Sequence, residues 1–191
     1  MTTDKNLIAA AMSLLDEGGE DAVTLRAVGH ATGLSHNAPY KHFTNREALL
    51  AAVATSDFAA LSDAFVAIRA ARISPIKKLN NALKVVIDYS VQHPARYRLM
   101  FSDSGTAKEG GALEQEASIA FGEFIAIVKE CQAERLLPDI PNNTLAGLLF
   151  ATLHGLIAFQ ANGRMHPKKG LNGVLPSIEL LITLLAPRPE L

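Results

Sequence analysis

Apolar residues recur at three- and four-residue intervals from one end of this 191-residue chain to the other. No stretch alternates in the two-residue rhythm of a half-buried strand, so the pattern predicts an all-α protein of about nine helices. Over 3–17, Leu7, Ala10, Ala11, Leu14 and Leu15 share one face, and Gly18-Gly19 follows as a stop. Thr24 is placed to cap a short helix over 25–31 whose Leu25 and Val28 turn inward. Gly33 interrupts the rhythm. A third helix is expected to start at Asn37, which leaves Pro39 in the first turn, where a missing N–H has no helical partner to lose. Thr44 and Glu47 have the spacing of a capping box that opens a long helix over 45–70. Further helices are expected over 75–92, PARYRLMF, 112–135, 142–163 and 174–186, with SDSGTAKEGG (102–111) as a loop.

Two short helices joined by a tight glycine turn, with polar side chains crowded onto the second, have the pattern of a helix-turn-helix. Such an element enters a major groove ~12 Å wide, so it must be short, exposed on one face and held by a small core. Val28, Leu34, Ala38 and Phe43 suit that core. His36, Asn37 and Lys41 are then directed outward, where Asn and Lys side chains pair with adenine and guanine edges. Tyr40 and His42 suit phosphate contacts, as does Thr24 at a helix N-terminus that already favours an anion, and Arg26, Ser35 and Arg46 complete the expected DNA-binding set.

Charge sharpens this reading. The chain as a whole carries a net charge of −1. Residues 1–23 set Lys5 against five acids, whereas 24–46 hold Arg26, Lys41 and Arg46 and no acid. A basic stretch on an acidic protein is an electrostatic footprint for a polyanion. The single cysteine, Cys131, excludes an internal disulfide and a cysteine-rich zinc site. The histidines show no ligand spacing, and GxSxG, GxxxxGK[ST] and HExxH are all missing, so neither an enzyme, a cofactor nor a metal is expected. No uninterrupted apolar run reaches the ~18–20 residues of a membrane span, and the N-terminus lacks a signal-like pattern, so a cytoplasmic protein is expected.

The run TLRAVGHATGLSHNAPYKHFTNREALL resembles the DNA-binding signature of the TetR family of transcriptional regulators. The matching positions are Thr24, Gly33, Ser35, Tyr40, His42, Phe43 and Glu47, with Arg46 in the basic slot. HPARYRLMF and LHGLIAFQANGR resemble ligand-domain segments of a subgroup with a Trp-His-Gly signature, with Leu153 standing at the tryptophan position. The resemblance implies a DNA-binding domain over 1–50 and a ligand-binding and dimerisation domain over 51–191. It also implies a homodimer that binds a double-stranded operator and is released, as a repressor, by a small molecule. The competing class is a helical carrier or interaction protein that no longer binds DNA.

Gly147, Ala151 and Gly155 form a stripe of small side chains at i, i+4 and i+8. Each glycine costs about 1 kcal/mol inside a helix, so close approach of another helix is the expected reason for keeping both. With Ile178, Leu181, Ile182 and Leu185 on the last helix, the stripe is the expected dimer interface. Tyr89, Met100, Phe101, Phe121, Phe124, Phe150, His154 and Phe159 are expected on inward faces and are the candidates to line an apolar effector pocket.

Overall fold

The computed structural model describes residues 2–35, 37–101 and 111–187. The expected loop over 102–111 therefore lies outside the described residues, apart from Gly111. Eight α-helices are present among them and no strand: α1 Thr3–Gly18, α2 Leu25–Ala31, α3 Arg46–Ala70, α4 Pro75–Gln92, α5 Pro94–Phe101, α6 Ala112–Ala133, α7 Asn142–Ala161 and α8 Val174–Leu185. The all-α expectation holds, with one helix fewer than expected. The difference is the third helix, which is a single 3-10 turn, Pro39–Lys41.

Two compact units divide the chain: residues 1–61 with 89–119, and residues 62–88 with 120–191. The first unit is built on α1. Leu7, Ala11 and Leu15, one turn apart, are fully buried, and Val23, Val28, Phe43, Leu49, Leu50 and Val53 complete the same core. Gly19 ends α1 at φ +71°, with its N–H on the Leu15 carbonyl, a conformation that favours glycine. Thr24 caps α2 as expected, its hydroxyl accepting from Ala27 N–H at 3.0 Å. At α3 the cap is Asn45, whose Oδ1 accepts from Ala48 N–H at 2.8 Å, and not the expected Thr44–Glu47 box.

The second unit packs α4, α6, α7 and α8 residues around Phe65, Leu79, Phe124, Ile127, Leu145, Leu149 and Ile178. Arg135, at φ +56°, ends α6, and Leu136 N–H reaches back to the Cys131 carbonyl at 2.9 Å. Gln132 then pins the following turn, donating from Nε2 to the carbonyls of Pro138 and Ile140 at 2.7 and 2.8 Å. By length and composition α3 and α7 are apolar enough to cross a membrane, which a search for uninterrupted runs does not reveal. The fold buries 50 % of the apolar window of α3 but only 28 % of that of α7. A helix this apolar and this exposed presents an uncovered apolar face.

Candidate nucleic-acid interface

The first unit presents one edge rich in polar side chains. Thr24, Arg26, Ser35, Asn37, Tyr40 and Lys41 are all exposed, and Tyr40 keeps 57 % of its surface free. Expected position His36 lies outside the described residues. Arg26 and Lys41 have no ion pair among the described residues.

The edge is compact because the chain there is held tightly. Ala38 N–H bonds the Ser35 carbonyl at 2.8 Å, and the Pro39 carbonyl accepts from both His42 and Phe43, at 3.0 and 2.9 Å. Pro39 is buried and lies against α2 where Gly29 has no side chain: a Cβ on Gly29 would stand 3.1 Å from Pro39 Cγ. Of the expected clamp residues, Val28 and Phe43 are buried, but Leu34 is exposed and Pro39 takes its place. Proline also explains the missing helix. It lacks the N–H that a longer helix would use, and its packing on α2 stops the chain after one turn.

Two expected contact residues are engaged within the first unit. Arg46 donates from Nε to the Val23 carbonyl at 2.8 Å and from Nη2 to the Glu20 carbonyl at 2.6 Å, so it closes the module and does not belong to the open edge. The His42 ring contacts the Asp4 carboxylate on α1, which sets an acid beside a side chain expected on phosphate. Sequence spacing could not pair residues 38 positions apart; the acidic N-terminal segment was the only hint.

The expected effector-pocket residues separate into two groups. Phe121, Phe124, Phe150 and His154 meet in the second unit: Phe124 and Phe150 centroids are 5.2 Å apart, and Phe150 lies edge-on to His154 at 4.5 Å. Desolvation there lowers the His154 pKa to about 4, so the ring is neutral at pH 7. Tyr89, Met100 and Phe101 belong to the first unit, where the Phe101 ring packs edge-on to Phe58 at 5.3 Å. Phe159 is instead 42 % exposed. A groove of about 550 Å³ opens between α1, α3 and the start of α6, floored by Ala48, Ala51, Ala52 and Ala59 with Ile8 and Leu113 at its sides. None of the eight expected residues lines it. Buried Cys131 is unreactive, its thiol pushed up to about 12 by desolvation.

On the expected dimer helices, Gly147 and Gly155 face open space, with nothing within 4 Å of a Cβ built on either. Ile178 and Ile182 are buried within the subunit and cannot form an outer face. Leu181 and Leu185 are half-buried. The open surface of α8 carries Leu180 and Leu184, 58 % and 73 % exposed, and that of α7 carries Leu148 at 59 %. On α7 the chosen Ala151 and Gly155 share the open side with Leu148, whereas on α8 the open leucines lie beside the chosen set.

Comparison with known proteins decides the family. Residues 7–53 match the family of bacterial regulatory proteins designated tetR, and residues 79–184 match the tetracyclin repressor-like C-terminal domain. The chain belongs to the TetR family. This TetR protein is 27 % identical, over 159 residues, to an HTH-type transcriptional repressor of Mycobacterium tuberculosis, a match covering 83 % of this chain and 82 % of the relative. Its fold is similar to that of a protein of unknown function from Rhodococcus sp. RHA1, with a TM-score of 0.80 and 26 % identity over 98 % of this chain and 97 % of that one. A TetR-family transcription regulator from Shewanella sp. PV-4 has the same fold, with a TM-score of 0.68 and 14 % identity over 98 % and 100 % of the two chains. The TetR protein is a ligand-responsive, DNA-binding transcriptional regulator and not an enzyme.

Proposed function

We propose that the protein is a homodimeric repressor of the cytoplasm that holds a palindromic operator and is released from it by an apolar small molecule. Residues 1–50 read DNA, and residues 51–191 bind the effector and the second subunit. The observation that carries the reading is the exposed edge Ser35–Asn37–Tyr40–Lys41, with Thr24 and Arg26 beside it. Asn37 and Lys41 offer donors to base edges, while Tyr40 and the capped N-terminus of α2 suit phosphates.

Two copies of this edge are required to reach successive major-groove segments about 34–36 Å apart. The uncovered face of α7 and α8 supports such a pairing: Leu148, Ala151 and Gly155 on one helix, Leu180 and Leu184 on the other. Four such helices, two from each subunit, make a bundle whose small residues admit close approach. The aromatic group around Phe124 and Phe150 supports an apolar effector. A ligand that binds one arrangement of the subunits better than the other shifts the separation of the edges and so the affinity for DNA.

Replacing Tyr40→Ala together with Lys41→Ala tests the edge directly. Both side chains are exposed, so the variant is expected to fold and dimerise normally while losing sequence-specific binding to DNA selected by the native protein. Unchanged affinity would overturn the assignment. The native complex is also expected to weaken by about 10³–10⁵ between 50 and 200 mM salt if ~6–10 phosphates are contacted.

A further inference from the structure

A polar cluster inside the first unit joins the last turns of α1 to α3 and α5. Asp57 on α3 is only 3 % exposed. A carboxylate buried to that degree remains charged when a cation pairs with it and its oxygens are satisfied. Arg96 on α5 does both: Nη2 bonds Oδ1, and Nε donates to Oδ2 at 3.1 Å. Burial opposes the Arg96 charge and the Asp57 carboxylate outweighs it, so the guanidinium is held more firmly protonated than usual. The Tyr89 ring lies under it, 5.6 Å from the guanidinium carbon to the centroid.

Arg96 is thereby locked in orientation with one nitrogen left over. That nitrogen, Nη1, donates to Asp16 Oδ2 on α1 at 3.3 Å. It also stands 3.5 Å from His93 Nδ1, which itself lies 2.9 Å from the same Asp16 oxygen. The Arg96–Asp57 pair is complete without Asp16. Asp16 is far more open, its side chain 28 % exposed, and gives α1 a polar tether to a cation fixed by the middle of α3. α1 is also the helix on which α2 packs, and the turn with Tyr40 and Lys41 packs on α2 through Pro39.

We propose that Asp16 and Arg96 are positioning residues of the DNA-binding function: the tether sets the angle of α1, and so the direction in which the reading edge is held. The inference rests on the repressor reading above. An edge that swings on its own still binds one half-site, but two swinging edges no longer match a palindrome of fixed spacing. A merely structural role would instead weaken both kinds of binding alike.

The full-length protein with Asp16→Asn is compared with the native form and with Asp16→Glu, which keeps the charge. Each is spin-labelled through Ala9→Cys on α1 and Ala60→Cys on α3, both exposed, with native Cys131 buried and unlabelled. Each is also titrated, without labels, against a selected palindrome and against its single half-site. Asp16→Asn is expected to broaden the distance distribution and to lose at least ~tenfold on the palindrome, with less than ~twofold change on the half-site. Asp16→Glu is expected to restore most of the palindromic affinity. An unchanged distance distribution overturns the proposal whatever the DNA shows, and so does an equal loss on both duplexes. Failure of the native protein to select any palindrome would sink the repressor reading instead, while the label distances would still judge the tether.

Discussion

Residues of one chemical type do different work in this protein because their neighbours differ. Arg26, Arg46 and Lys41 lie in the same basic stretch, yet Arg46 reaches back to two carbonyls and only the other two stay open. His42 is similarly drawn toward Asp4. That acid repels a phosphate, so Asp4→Asn is expected to tighten DNA binding about two- to fivefold, the scale of one exposed ion pair. Fluorescence anisotropy on a selected operator measures it, and weaker binding would contradict the assigned edge. His154 allows a second test. Its pKa of about 4 lies below the ordinary 6.5, so the unfolded chain takes up its proton first as pH falls. The stability it supports is complete above pH 6.5 and declines as pH drops toward 4, by at most about 3 kcal/mol. Chemical denaturation at several pH values should show this decline, and His154→Phe should remove it.

Elements were legible where a periodic face and a cap coincided. α1, α2 and α4 lie where Leu7–Leu15, Thr24 and Ser74-Pro75 placed them. The third helix was not legible, because helical spacing over six residues says little about length once a proline packs against a neighbour. The Gly29–Pro39 contact decided it, and no local pattern announces a contact between positions ten apart. Gly29→Leu is therefore expected to force the turn away from α2, destabilising the protein by about 1–3 kcal/mol as overpacked cores are. Urea unfolding would register the loss, and DNA binding should fall with it. An unaffected variant would mean that the turn moves freely, against the compact edge described here.

At the scale of the whole molecule, the hydropathy of α7 and α8 matters more than that of any single residue. α7 is long and apolar, and only 28 % of its apolar window is buried, which leaves a face suited to the second subunit of the proposed dimer. Replacing Leu180→Asp with Leu184→Asp puts charge on the open face without touching the buried Ile178 and Ile182. Sedimentation velocity is expected to show a folded monomer, and affinity for a palindrome should fall by about 10²-fold or more as the benefit of linked sites disappears. A persistent dimer would move the interface elsewhere. Sequence periodicity found these two helices and put the small-residue stripe of α7 on its open face, but on α8 it chose Ile178 and Ile182, which the core takes. On α8 the exposed Glu179 and Thr183 mark a polar side, but hydropathy does not distinguish the exposed Leu180 and Leu184 beside them from the leucines and isoleucines that enter the core.

Much of this protein follows from order along the chain alone. Helical periodicity, glycine and proline breaks, the Thr24 cap and the acid-free stretch from 24 to 46 act within a few residues of one another, so they fix the fold class and point to a DNA-binding edge without reference to anything distant. What distance in sequence conceals came from packing. Arg46 turned inward, His42 found Asp4, Arg96 gathered Asp57 and Asp16, and Ile178 went into the core while Leu180 stayed out. Each outcome depends on which surfaces meet once helices pack, and contacts of that kind leave no periodic trace in the chain.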